Sequence, residues 1–394
     1  MAEELAYALI TPYSLLKSRT GGIIGRLLSL ADLTLIGARM YAPSDEMVSA
    51  YAATIAEQEH LDPQLARGFL NYLNDNYRPQ NKLGIVNRTM LLLFRGQNAV
   101  EVLKKEVVGP ITSDPRGDTV RGTYGDYIAP PGGPILYFEP AVLIGTSTES
   151  VNKHLRLLAE YACTDGGVLE HVLDFPQGAK VQTTLVILKP DNFKKQSSRP
   201  GNIIDMFSRT GLYIVGAKVL HMSMAQAERF YGPLRSIFVD KLRRTIAQRL
   251  QPCLEEAFEF EISGQQYDRM SDILADSNAE FEFNRIVQYM TGRNPKGMTA
   301  DEKLAAGHET CLALLYQGID AIEKIRTTLG ATNPASASPG TVRSVYANDL
   351  MRNAAHASDS PENALREREI VDLLEQERIC DVRETIDEYL AVKR

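Results

Sequence analysis

Val186-Ile187-Leu188-Lys189-Pro190 reads as an apolar strand stopped by a proline, and the same pattern stands earlier in the chain as Ala8-Leu9-Ile10-Thr11-Pro12. The correspondence continues downstream. Gly21-Gly22-Ile23-Ile24 matches Gly201-Asn202-Ile203-Ile204, and Leu35-Ile36-Gly37-Ala38-Arg39 matches Ile214-Val215-Gly216-Ala217-Lys218, all at an offset near 180. Further on the offset is 222: Leu91-Leu92-Leu93-Phe94-Arg95-Gly96 matches Ala313-Leu314-Leu315-Tyr316-Gln317-Gly318, and Thr119-Val120-Arg121 matches Thr341-Val342-Arg343. Two copies of one unit therefore fill the chain, and the second carries about forty extra residues between its second and third strands.

In the second copy, 183–188 and 212–220 are short, β-branched strand candidates, and 203–209 has helical spacing. Residues 224–250 read as one helical stretch, 311–316 as the third strand, and 319–328 as a helix closed by Gly330 as C-cap. Short strands alternating with helices in this order predict an α+β fold, helices covering an antiparallel sheet, rather than a doubly wound parallel one. Turn-forming residues between Thr164 and Gly178 suit a boundary, giving domains at 1–165 and 180–394. Gly21-Gly22 and Gly201 sit before predicted helices. Lacking the spacing of a phosphate loop, they read as turn formers.

The 43 Lys and Arg against 50 Asp and Glu leave a formal charge of -7, which argues against a duplex-coating basic protein and predicts no specific nucleic-acid partner. Apolar runs such as Met90-Leu91-Leu92-Leu93-Phe94 fall well short of the ~20 residues needed to cross a bilayer. The N-terminus opens on acids rather than on a basic, then apolar, export signal, and Cys163, Cys253, Cys311 and Cys380 form no C-x-x-C pair. A cytoplasmic location without membrane attachment, disulfide framework or zinc ribbon is expected.

The stretches that carry chemistry are Thr332-Asn333-Pro334-Ala335, Pro339-Gly340-Thr341-Val342-Arg343 and Arg352-Asn353-Ala354-Ala355-His356-Ala357-Ser358-Asp359-Ser360, with Leu188-Lys189-Pro190-Asp191 upstream. In this order they closely resemble the hallmark motifs of the nucleoside diphosphate kinase family, over nearly all of 180–375 and more faintly over 5–162. The resemblance implies two ferredoxin-like (βαββαβ) domains. It also implies a ping-pong phosphoryl transfer between nucleoside tri- and diphosphates through a phosphohistidine. That chemistry suits the residues, because a neutral imidazole is nucleophilic at physiological pH and a spreading phosphoryl charge needs cations and donors around it.

By this resemblance His356 is the nucleophile and Glu367, eleven residues later, orients its imidazole, with Ser358 beside it. Lys189 and Tyr231 would contact the phosphoryl group. Arg326, Thr332 and Arg343 would hold the phosphates, Asn353 the sugar hydroxyl, and Phe283 (or Phe281) with Ile286 the base. Mg2+ is expected to be held mainly by the nucleotide phosphates, with no dedicated protein metal site. The remaining histidines, His60, His154, His171, His221 and His308, read as surface or core residues.

Departures from the pattern are also legible. Inserts are expected near 232–280 and 293–309, and Ala357 replaces a glycine, which matters if the backbone there needs positive φ. The first copy has Thr11 in place of the lysine. Aligning Gly145-Thr146-Ser147-Thr148 with the G-S-D-S pattern puts Ile144 in place of the histidine, and Pro130-Pro131-Gly132-Gly133-Pro134 lengthens the preceding loop. This copy is expected to be degenerate, packing on the active one as in the family's homodimers, so that pseudo-dimeric chains form a homo-oligomer in which three chains imitate a hexamer. A catalytically weakened nucleotide-binding regulatory or scaffold protein is the alternative expectation.

Overall fold

The computed structural model describes residues 3–57, 61–112, 116–130, 132–376 and 379–392; Met1, Ala2, His60 and Pro131 lie outside them. By contacts the chain divides into two compact units, 1–220 with 312–394, and 221–311.

The first unit holds two sheets. One is built from β1 (Glu3–Ile10), β2 (Thr34–Tyr41), β3 (Thr89–Gln97), β6 (Val142–Leu143) and β7 (Gly166–Gly167), in the order β6-β1-β3-β2-β7; β4 (Asp126–Ile128) and β5 (Tyr137–Glu139) form a separate hairpin. The other is built from β8 (Val181–Leu188), β9 (Tyr213–Leu220), β10 (Cys311–Ile319) and β11 (Ala355–Ala357), in the order β11-β8-β10-β9. Apart from the short β7, both therefore run fourth, first, third, second, the ferredoxin-like order expected from the sequence. The matched strands pair alike, with Leu9 opposite Leu91 and Ile187 opposite Ala313, antiparallel in both cases. Residues 89–94 and 311–316 are buried throughout, which is why these central strands read as unbroken apolar runs.

Helices along the chain include α1 (Thr20–Ser29), α2 (Asp45–Ala56), α3 (Pro63–Asn76), α4 (Thr148–Glu160), α5 (Arg199–Ser208) and α6 (Met224–Tyr231). They continue as α7 (Leu234–Ala257), α8 (Gly264–Thr291), α9 (Ala321–Leu329), α10 (Val342–Tyr346), α11 (Pro361–Val371) and α12 (Asp381–Val392). The repeat reaches down to backbone conformation. Asn98 and Asp320, left-handed at φ 52° and 53°, precede matching helices, and Ala141 (φ 60°) and Ala354 (φ 70°) precede the matching last strands. Gly330 closes α9 at φ 86° and donates to the Arg326 carbonyl at 3.0 Å, as a C-cap should.

The two copies meet along α1 and α5 and along β2 and β9. Gly21, Gly22 and Gly201 prove to lie within these helices, none with positive φ, so they are not turn formers. Two of them serve the crossing: a Cβ at Gly201 would stand 2.2 Å from the Gly21 carbonyl oxygen and 2.3 Å from the Gly25 nitrogen. The helices thus touch backbone to backbone, as small residues permit. The connector is strapped down as well, Gly166 and Gly167 pairing with Tyr41 and Met40 and the Leu169 amide donating to Val215 O at 2.7 Å. Buried Arg88 reaches from before β3 to the Ile214 carbonyl, with its guanidinium over the Tyr213 ring at 5.1 Å.

The second unit is helical. The stretch 224–250, expected as one helix, is broken at Gly232-Pro233 between α6 and α7, because proline supplies no amide to continue the ladder. α7 and α8 form a hairpin in which Tyr267, Ser271, Ala275, Ala279, Phe283 and Val287 are buried at four-residue steps. Within 293–309 lies a short helix, Ala300–Leu304, with a Thr299–Glu302 capping box.

Candidate active site

β11 is three residues long and is fixed by its pairing with β8: Ala355 opposite Leu188, His356 opposite Ile187, Ala357 opposite Val186. This register sets His356 beside the C-terminal end of β8, where Lys189 follows. Ala357 lies in the strand without positive φ; the left-handed residue is Ala354, two positions before the histidine. The glycine-to-alanine change is therefore accommodated without backbone strain at that position.

The His356 side chain is about one-fifth exposed, and its Nε2 lies 2.8 Å from Glu367 Oε2 on α11. The Ser358 hydroxyl donates to the same oxygen at 2.6 Å, and Arg366 stands 3.4 Å from the other. Burial of Glu367 favours its neutral form, but His356, Ser358 and Arg366 outweigh that and hold its pKa below the usual value. The carboxylate is thus ionised at neutral pH and accepts the Nε2 proton. A neutral imidazole that donates through Nε2 keeps its lone pair on Nδ1.

Lys189 is buried, and its ammonium donates to Asn353 Oδ1 at 2.7 Å and to the Met351 carbonyl at 3.2 Å. Asn353 donates onward to the Thr332 carbonyl at 3.2 Å. Arg343 spends two donors on backbone, Nη1 on Gly330 O and Nη2 on Ala355 O, both at 3.0 Å. Burial, and then the neighbouring Arg326, push its pKa down to about 10, so it remains a cation at neutral pH. Lys189, Arg326 and Arg343 bring positive charge to this end of the sheet with donors to match, a set suited to phosphate oxygens. Among the described residues no group of three or more His, Cys, Asp or Glu side chains is placed to hold a metal.

Two residues without a sequence-level role hold this corner. Asn192 donates to the carbonyls of Lys189 (2.9 Å) and Ala354 (2.6 Å), clamping the two strand ends together. Arg199 binds Asp191 at 2.6 Å and the Tyr346 carbonyl at 2.6 Å. The Lys-Pro-Asp landmark was the available signal, since its aspartate needs a cationic partner when buried.

Tyr231, Phe283 and Ile286 belong to the second unit. Tyr231 ends α6 with its ring 5.0 Å from that of Phe230. Phe283 is fully buried, with the Arg235 guanidinium 4.0 Å from its ring centre, whereas Ile286 is half-buried and Phe281 exposed.

The first copy shows what has replaced each part. Leu143 is opposite Leu9 and Val142 opposite Ile10, so the position of His356 is taken by Leu143 and not, as expected, by Ile144. Ser147 and Ser360 are equivalent helix N-caps, and seven residues beyond them stand His154 and Glu367. His154 is buried between Tyr7 and Thr54, 2.7 Å from each hydroxyl, and desolvation pushes its pKa down to about 4. Beside Thr11, where the other copy has its lysine, lies the buried carboxyl of Glu139. It accepts from Thr11 (3.0 Å), Tyr72 (2.6 Å) and the Ala141 amide (3.0 Å). Arg121 repeats Arg343, bonding the carbonyls of Gly109 and Val142.

The family model described as nucleoside diphosphate kinase matches residues 182–249 and 269–376; the interruption falls in the hairpin of α7 and α8. A nucleoside diphosphate kinase of Legionella pneumophila is 30% identical over 200 residues, covering 51% of this chain and 97% of that protein. One from Bdellovibrio bacteriovorus is 28% identical over 202 residues, covering 51% and 99%. A solved NDP kinase from Pyrobaculum aerophilum is 27% identical, covers 48% of this chain and 94% of its own, and has a TM-score of 0.34. Among the described residues no helix is long and apolar enough to cross a membrane.

Proposed function

This chain belongs to the nucleoside diphosphate kinase family, and on that premise we propose that its C-terminal copy moves the γ-phosphate of a nucleoside triphosphate to a nucleoside diphosphate through a phosphohistidine at His356. The observation that carries this reading is the His356–Glu367–Ser358 arrangement. One ionised carboxylate accepts from both the imidazole and the hydroxyl, aiming Nδ1 as the nucleophile. In the first half-reaction the Nδ1–P bond forms as the bond from the γ-phosphorus to its bridging oxygen breaks, and the nucleoside diphosphate leaves. A second diphosphate then attacks the phosphoryl group, and the Nδ1–P bond breaks. Nε2 keeps its proton throughout, so Glu367 stabilises the cationic character that phosphorylation gives the ring.

Lys189 supplies a point charge to the transferring group. Arg326, Arg343 and Thr332 bind the remaining phosphates, and Asn353 releases its bond to Lys189 to meet the sugar. Phe283, fully buried beneath the Arg235 guanidinium, has no free ring face to stack a base, so the expected Phe283–Ile286 clamp is set aside. Mg2+ enters as part of the substrate, held by phosphate oxygens, and its charge neutralises what develops there. The first copy, with Leu143 and Glu139 in the corresponding places, carries no reaction and serves as the fixed half of a pseudo-dimer. We place the protein in the cytoplasm as a homo-oligomer, three chains standing for six single domains.

The test is the rate of GTP formation from ATP and GDP. Wild type should turn over and His356→Ala should fall to the blank. Turnover retained by His356→Ala would sink the proposal, and binding without turnover in wild type would favour a nucleotide-binding regulatory protein.

A further inference from the structure

Given the phosphohistidine reading, on which this rests, we propose that Glu170, in the connector between the copies, is a positioning residue for the His356–Glu367 pair. It acts by holding Arg368, the neighbour of Glu367 on α11. Arg368 is buried; its Nη1 donates to Glu170 Oε1 at 3.1 Å and its Nη2 to Glu170 Oε2, a two-pronged bond between residues 198 positions apart. Its Nε donates to Leu373 O at 3.1 Å, and the Leu373 amide returns to Arg368 O at 3.0 Å, closing the end of the helix.

Glu170 is itself a fixed point. The Leu169 amide just before it donates to Val215 O at 2.7 Å on β9, and Gly166 and Gly167 pair with Tyr41 and Met40 on β2. Asp165 accepts the Ala42 amide at 2.8 Å through its carbonyl and the Ser44 amide at 2.7 Å through its carboxylate. The connector is thus fastened to both copies before it reaches Arg368. Successive side chains on a helix point about 100° apart, so the bond of Arg368 to the connector and the bonds of Glu367 to His356 and Ser358 lie on different sides of α11. Together they fix its rotation. Releasing Arg368 lets α11 turn and draws the Glu367 carboxylate away from Nε2.

The degenerate copy supplies the comparison. Eight residues beyond the equivalent N-caps Ser147 and Ser360 stand Leu155 and Arg368, and Leu155 is fully buried. The fold therefore accepts a plain hydrophobe at this helix position. A buried arginine with a carboxylate partner is seldom more stabilising than such packing, because both charges must leave water. Here it stands only in the copy that has His356 and Glu367, and its partner comes from outside that copy's sheet and helices. Stability does not call for this pair. Holding α11 at one angle does, since a two-pronged guanidinium–carboxylate bond imposes a geometry that leucine packing does not.

The full chain is labelled with 15N-histidine and its ring nitrogens are observed by NMR without nucleotide, His356 being assigned by its loss in His356→Ala. Wild type should show Nε2 protonated and Nδ1 bare, and Glu170→Gln should move both resonances toward those of a ring exchanging between tautomers. In turnover of ATP and GDP, Glu170→Gln should lower kcat about tenfold with KM unchanged, as a small misplacement of a reacting group does. Arg368→Leu combined with Glu170→Gln copies the Leu155 arrangement and leaves no buried charge unpaired. It should melt no lower than wild type and still show the same ring shift and the same loss of kcat. Unchanged His356 resonances in these variants, or a kcat that follows only the melting temperature, would overturn the proposal. A wild type without turnover whose His356 resonances still depend on Glu170 would refute phosphotransfer and uphold the positioning.

Discussion

Gly201 and Gly25 face the same helix crossing, yet alanine should act oppositely at the two. At Gly201 the new Cβ would meet the Gly21 carbonyl oxygen at 2.2 Å and Gly25 backbone at 2.3 Å, so α1 and α5 must separate by about 1 Å or more, where contacts decide packing energy. Overpacking of this kind costs roughly 1–3 kcal/mol, and here rigid backbone rather than a movable side chain is the obstacle. Against it stands a gain of about 1 kcal/mol for alanine over glycine inside a helix. With a backbone obstacle placing the overpacking at the upper end of that range, the net for Gly201→Ala is a loss of roughly 2 kcal/mol. At Gly25 the nearest atoms are Ser198 Cβ and O at 3.4 Å, ordinary contact distance, so only the helix gain remains and Gly25→Ala should be neutral or stabilising by up to about 1 kcal/mol. Urea unfolding followed by far-UV circular dichroism measures both, with the slope m checked for constancy. Equal stabilisation by the two alanines would refute the close crossing and with it the packing of the copies along α1 and α5.

Glu367→Gln removes the charge but keeps an acceptor, weakening a charge-assisted bond by roughly 1.4 kcal/mol, so His356 phosphorylation in rapid-quench mixing should slow about tenfold with little change in KM; an unchanged rate would deny Glu367 its positioning role. His154 ionises near its ordinary 6.5 when unfolded but at about 4 when folded. The unfolded chain thus binds more protons between those values. Roughly 3 kcal/mol of stability, full above pH 6.5, should disappear as pH falls to 4, and His154→Gln should flatten that slope in urea titrations. Glu139 has the opposite sign: burial raises its pKa, outweighing its hydrogen bonds, so its contribution is full at low pH and is lost as pH rises through the folded value. Glu139→Gln should accordingly raise the melting temperature at pH 7, and a lowered one would show that the carboxylate's bonds dominate.

The strand pattern was legible because both sheets bury their central strands on both faces, which forces runs such as 90–94 and 312–316 to be apolar. Motif spacing likewise placed His356, Ser358 and Glu367 near one another, and the fold brings all three to hydrogen-bond distance. Pairing register was harder to read. Whether Leu143 or Ile144 faces Leu9 is decided by backbone bonds across more than a hundred residues, and both side chains are apolar. Glycine is equally ambiguous: Gly201 has the composition of a turn and the function of a helix contact, which only its partner Gly21 reveals. Asn192 escaped notice because it acts on carbonyl oxygens, which every sequence has.

The most direct test of the central claim is intact mass after brief exposure to ATP and Mg2+, for wild type and His356→Ala, followed by a chase with GDP. One acid-labile phosphoryl adduct, dependent on His356 and discharged as GTP appears, is the predicted result. An adduct that survives His356→Ala, or one that GDP cannot discharge, would contradict phosphotransfer through this histidine.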